Sequence, residues 1–166
     1  MCAENTTHRI LYVLVYPSRL FAAHWSFWLP YIKDGNRQSD TGDRIHVTGD
    51  RLNGFLYEYA AHLSKASQDR NDALGEEGKA DIDNAVFNAF DKACREVSAP
   101  GPSLNKVGKA DTSKVTIPLK QAEVRDCQWW IKEATSHLVR TGILLSLDEE
   151  HEKESPASRV DSLPRH

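Results

Sequence analysis

No apolar run in this chain approaches the roughly 20 residues needed to cross a bilayer, so a membrane-spanning helix is not expected. The opening stretch, Met1 to Arg9, is polar and lacks the apolar core of a secretory signal. Cysteine is scarce. Cys2, Cys94 and Cys127 stand far apart with no CxxC pair, which leaves neither a disulfide framework nor a zinc ribbon. An excess of one charge is missing too: the net charge is −3, the pI is near 6.2, and the signs are mixed along the chain. That balance gives no case for nucleic acid or an anionic membrane as partner. These absences point to a reducing, cytoplasmic setting in which thiols stay free. The glycosylation triplet Asn5-Thr6-Thr7 carries no weight without secretion. At 166 residues the chain suits one domain with a real core.

The periodicities organise it further. Arg9 to Tyr16 is apolar on both faces and predicts a central strand, ended by Pro17-Ser18. His24 to Tyr31 predicts a second strand, with His24, Ser26 and Trp28 on one face and Trp25, Phe27 and Leu29 on the other. Pro30 marks an edge or the end of its pairing. Lys33 to Gly42 is expected to be a polar turn, and Asp43 to Thr48 alternates Ile45 and Val47 against Arg44, His46 and Thr48. Gly54 to Leu63 is a further strand or a strand-to-helix element. Asp81 to Val97 predicts an amphipathic helix capped by Asp81 or Asp83, with Cys94 packed in its apolar stripe. Ala99 to Ser103 breaks it, Leu104 to Thr112 is loop, and Ser113 to Leu119 is a short strand. A last helix follows Asp126. Cys127, Trp130, Ile131, Ala134 and Leu138 share one of its faces, and Gly142 stops it. The expected organisation is an N-terminal extension over 1–8, one α+β domain over 9–147 with a flexible insertion near 64–79, and a disordered tail over 148–166.

Cys127 is the residue on which chemistry centres. In the first turn of a helix, free backbone N–H groups and the helix dipole favour a thiolate. The same position also suits a small cysteine that merely packs. A thiol becomes a good nucleophile when an imidazole takes its proton and a third polar group orients that imidazole. His24 and His46, on neighbouring strands at matching depth, supply such a pair. Taken singly, His24 also reads as a strand-end residue bonded to a carbonyl, and His46 as a solvated one. His8, His62, His137, His151 and His166 read as surface. Trp25 and Trp129 are the candidate substrate contacts, Trp129 because it leaves the buried stripe and faces the mouth of a cleft. A zinc set of His24, His46 and Cys127 is the weaker alternative, since these ligands lack close spacing. No cofactor is expected.

The run His24-Trp25-Ser26-Phe27-Trp28, a Gly-containing turn and Arg44-Ile45-His46-Val47 resemble the "HW-apolar … G … xH-apolar" pattern of circularly permuted papain-like proteins. These are the NlpC/P60 superfamily, and above all its lecithin–retinol acyltransferase-like branch. Asp126-Cys127-Gln128-Trp129-Trp130-Ile131 is similar to that branch's "N-C-E-x-F-V" helix, with Asp in place of Asn. The HWSFWLP, IHVTGD, APGPSLN and RDCQWWIKEA segments also resemble a group of small fungal proteins. The resemblance implies an antiparallel sheet packed against a cysteine-bearing helix, with Cys127 as nucleophile, His24 as general base and His46 as orienting residue. It implies a cysteine-dependent hydrolase or acyltransferase acting on an amide, ester or thioester. The substrate would be a small acyl compound or a peptide. The loop between the histidine strands is longer than in the acyltransferase branch; the apolar anchoring tail of many lipid-acting members is absent, so no integral membrane association is expected. The alternative is a catalytically inactive binding module of the same fold.

Overall fold

Side chains alternate along a strand, and four strands sort their residues onto two faces by that rule. The computed structural model describes residues 9–19, 22–33, 37–64, 88–103, 124–145 and 155–165. Strands β1 (Tyr12–Tyr16), β2 (His24–Lys33), β3 (Arg37–Asp50) and β4 (Gly54–Ser64) form an antiparallel sheet in the order β1-β2-β3-β4. Helices α1 (Ala89–Glu96), α2 (Cys127–Arg140) and α3 (Pro156–Asp161) complete the described elements. The class is α+β.

The register fixes the faces. Val15 stands opposite Trp25, Val13 opposite Phe27, Phe27 opposite Ile45, and Ile45 and Val47 opposite Tyr59 and Tyr57. Paired residues point the same way, so these form one inner face. Helix α2 covers it with Cys127, Trp130, Ile131, Ala134 and Leu138, all buried in one core with Trp25, Phe27, Ile45 and Val47. Trp130 is the centre of this packing. Its ring meets Phe27 at 5.9 Å and Tyr57 at 5.8 Å, and its indole N–H donates to Val97 O at 2.9 Å. Enclosing a ring of that size stabilises the fold by about 5 kcal/mol. Helix α1 adds Ala93 and Cys94 to the same core, together with the fully buried Asp91. That carboxylate accepts from Tyr57 Oη at 2.6 Å and from Arg95 Nε at 3.0 Å, which makes its burial tolerable.

Several expectations are corrected. β1 is an edge strand and not a central one, since among the described residues it pairs with β2 alone. Most of the expected polar turn belongs to β3, which begins at Arg37. Its polar residues are satisfied within the sheet: Ser39 Oγ lies 2.8 Å from Thr41 Oγ1 and also accepts from Thr41 N. Gly42 permits the close pairing there, for a Cβ would fall 2.6 Å from Leu29 O. Gly54 to Ser64 is strand throughout. The described helix α1 starts at Ala89 under an Asn88 cap, while Asp81 and Asp83 lie outside the described residues. So do the 1–8 extension, the insertion beyond Ser64, the 104–112 loop and the strand expected over 113–119.

The largest departure falls within the expected disordered tail over 148–166, of which 155–165 are ordered and 148–154 lie outside the described residues. Ser155 caps α3, Pro156 occupies its first turn, and Val160 and Leu163 pack against the core. One turn of helix brings these two apolar residues to one side, a spacing too short to stand out in an acidic, Ser/Pro/Arg-rich context. Arg165 O then accepts from Ala23 N at 3.1 Å and from Gln128 Nε2 at 3.2 Å.

Candidate functional site

Asp126 organises the start of α2 as the sequence predicts. Its Oδ1 accepts from Gln128 N at 3.0 Å and Trp129 N at 3.1 Å, two of the donors a helix leaves free. Its other oxygen accepts from Arg51 Nη2 at 2.7 Å. At the far end Gly142 takes φ +73 and ends the helix, as expected. Cys127 is the first helical residue and is 8 % exposed. The first turn is held on one side by β2, where Gln128 Nε2 donates to Ala23 O at 2.8 Å, and on the other by Arg51, just past β3.

That seat coincides with a gap in the sheet. β1 follows β2 down to the Tyr16–His24 pair, and β4 follows β3 to Asp50–Gly54, whereas the β2–β3 pairing stops at Phe27–Ile45. Trp25 N–H, released from ladder duty on that side, is one of the groups that favour a thiolate at Cys127.

On the outer face the same gap is bridged by two imidazoles. His24 Nε2 and His46 Nδ1 lie 2.7 Å apart, with the rings edge to face at 4.9 Å. The Tyr16 ring is 5.8 Å from that of His24. His46 is paired with Glu58 in the register, and its Nε2 lies 3.4 Å from Glu58 Oε1. Arg44 Nη2 reaches the same oxygen at 3.3 Å. His24 and His46, expected together, are together. Cys127 belongs to the inner side, against the backbone of Trp25, the residue next to His24.

The protonation states differ from a preformed thiolate–imidazolium pair. Burial pushes the Cys127 thiol above its ordinary value and the Asp126 charge adds to that, against the N–H groups of Trp25, Gln128 and Cys127 itself. Burial likewise lowers His24 to about 4, helped by electrostatic repulsion from neighbouring His46 and Arg44 and opposed by Glu58. The resting state is a neutral thiol and a neutral imidazole.

Trp25 is fully buried in the core, with its indole N–H lacking a hydrogen-bond partner among the described residues, so it walls the site instead of lining an open cleft. Trp129 is only partly buried, and the Arg125 guanidinium stacks over its ring at 4.9 Å. Among the described residues no three His, Cys, Asp or Glu side chains converge as metal ligands. A 2.7 Å contact between two ring nitrogens holds a proton and leaves no room for a cation between them.

A model of the family of unknown function DUF6540 matches residues 11–145. The chain belongs to the DUF6540 family. No curated protein and no solved structure matches it. The DUF6540 match takes in the whole sheet, α1, α2 and all of His24, His46, Glu58 and Cys127, and leaves α3 outside.

Glu58 and Arg44 are the members of this DUF6540 cluster that sequence reasoning missed as site residues. A signal was present. Taking Gly54 to Leu63 as a strand after the Gly49-Asp50 turn makes a hairpin, and residues equidistant from its turn then face each other. That reading sets Glu58, a lone acid among aromatic and apolar residues, opposite His46.

Proposed function

We propose that this protein is a cysteine-dependent acyl-transfer enzyme, a hydrolase or acyltransferase, of permuted papain-like architecture. One observation carries the reading: the α2 start and the bridged imidazole pair occupy the same gap between β2 and β3, from opposite sides. The order of strand with His24, strand with His46 and helix with Cys127 supports the architecture. In the reaction, Cys127 Sγ attacks the carbonyl carbon of an amide, ester or thioester while His24 takes the thiol proton. The Cys127 backbone N–H, at the positive end of α2, helps stabilise the oxyanion. Collapse breaks the bond to the leaving group, which takes its proton from His24, and leaves a thioester on Cys127. Water or a second nucleophile then releases the acyl group, again with His24 as base.

The test is acyl transfer from p-nitrophenyl acetate, followed by intact mass and peptide mapping. An acetyl adduct confined to Cys127, absent in Cys127→Ser and formed about a hundredfold more slowly in His24→Ala, is expected. Equal rates in the wild type and His24→Ala overturn the reading.

The second reading is a catalytically inactive binding module, favoured by the near-complete enclosure of the thiol and its raised pKa. It expects no adduct with any acyl or alkylating probe in the folded protein. An acetyl-Cys127 peptide excludes it.

A further inference from the structure

His24 Nε2 and His46 Nδ1 share one hydrogen bond, and a neutral imidazole carries a single N–H. Which ring donates is decided by the next contact outward, where His46 Nε2 meets Glu58 Oε1 at 3.4 Å. That contact is off the line of a good hydrogen bond, since Nε2 is buried with no aligned partner among the described residues. It acts through charge. Arg44 Nη2, 3.3 Å from the same oxygen, holds the carboxylate in place.

A carboxylate only accepts, and a bare lone pair on Nε2 would face its negative charge at short range. The proton of neutral His46 therefore sits on Nε2. Its Nδ1 is then bare and accepts, so His24 Nε2 must donate. His24 is left with Nδ1 bare.

We propose that Glu58 is a positioning residue that sets the tautomers of His46 and His24 in series, leaving Nδ1 of His24 as the only ring nitrogen free to take a proton. The inference rests on the reading of His24 as the base for Cys127. The groups facing the pair are Tyr16 from β1, Arg44 from β3 and Glu58 from β4, and Cys127 lies on the inner side against the backbone of Trp25, next to Asp126. His46 and Arg44 keep Glu58 ionised, holding its carboxyl below the ordinary value against the effect of burial. No proton needs to travel along the chain. When His24 accepts from the thiol it becomes an imidazolium that still donates to His46, while Glu58 remains a carboxylate.

Long-range 15N NMR of histidine-labelled protein at pH 7 reads both tautomers without any substrate. Wild type is expected to carry the proton on Nε2 in both rings. In Glu58→Ala the fixed pattern is lost, and acetyl transfer from p-nitrophenyl acetate falls roughly tenfold or more. Glu58→Gln keeps the side chain's size should the alanine variant not fold; its amide can donate as well as accept, and both rings are expected to gain the Nδ1–H form together. A wild-type His24 protonated on Nδ1, or unchanged tautomers in Glu58→Gln, overturns the proposal. The expected tautomers with no acyl adduct would retain it and remove the acyl-transfer reading; an adduct with the opposite tautomers would do the reverse.

Discussion

Arg51 Nη2 donates to Asp126 Oδ2 at 2.7 Å, joining the β3–β4 turn to the cap of the helix that bears Cys127. Asp126 thus does two things with opposite effects on the thiol. It caps α2 and so aligns its N–H groups, and its charge disfavours a neighbouring thiolate.

These two effects separate by substitution. Asp126→Asn keeps a good capping side chain and removes the charge, so the Cys127 pKa is expected to fall and iodoacetamide labelling at pH 7 to quicken. Asp126→Ala removes the cap as well and costs about 1 kcal/mol, read from urea midpoints. A slower-labelling Asn variant would contradict the assignment.

The lowered His24 pKa gives stability a sign. Between about 4 and 6.5 the unfolded chain binds a proton that the folded protein does not, so stability rises with pH through that window. It is complete above 6.5 and is lost as pH falls through about 4. The effect is on the order of 3 kcal/mol. Urea denaturation of the wild type and His24→Gln from pH 7 to pH 4 checks it: the variant should lose less stability over that range. If His24 is the base, the acid limb of acyl transfer falls near pH 4 as well.

Two cysteines make an internal control. Cys94 is fully buried, and burial together with the Asp91 charge raises its thiol far above the usual range. With Cys2 replaced by serine, native protein is expected to take up iodoacetamide at Cys127 alone, and Cys94 only in urea. Peptide mapping distinguishes them. Equal labelling of both without denaturant would show that the core is open.

The C-terminal helix should matter to stability. Val160→Ala is expected to cost about 2 kcal/mol for its two buried methyl groups and the space they leave. Removing residues 155–166 should cost more, because Ala23 N and Gln128 Nε2 lose Arg165 O in addition. A melting temperature unchanged by truncation would mean that α3 contributes nothing.

What could be read in the sequence follows from the range of the forces involved. Strand alternation placed Trp25 and Phe27 opposite to His24 and Ser26, and helical spacing gave the Cys127, Trp130, Ile131, Ala134 and Leu138 face, because both patterns are local. The Asp126 cap and the Gly142 stop were legible for the same reason. Glu58 became part of the cluster only through hairpin register, a relation between strands. The composition of 148–166 predicts a disordered tail because it outweighs two apolar residues; the order of 155–165 rests on long-range contacts with the core, Ala23 and Gln128. The protonation states depend on burial and neighbouring charge in three dimensions, which no spacing encodes.

The Gln128–Ala23 hydrogen bond closes over 105 residues, whereas the β3–β4 hairpin closes over the Asp50–Gly54 turn. Contacts so distant along the chain form late, because their loop entropy must be met before they return anything. His46 and Glu58 are therefore expected to find each other early in folding, before the helix bearing Cys127 is seated. A refolding chain should gain its hairpin signal before its thiol is shielded, so newly made or heat-stressed molecules would expose Cys127 to oxidants while the rest of the sheet is already in place.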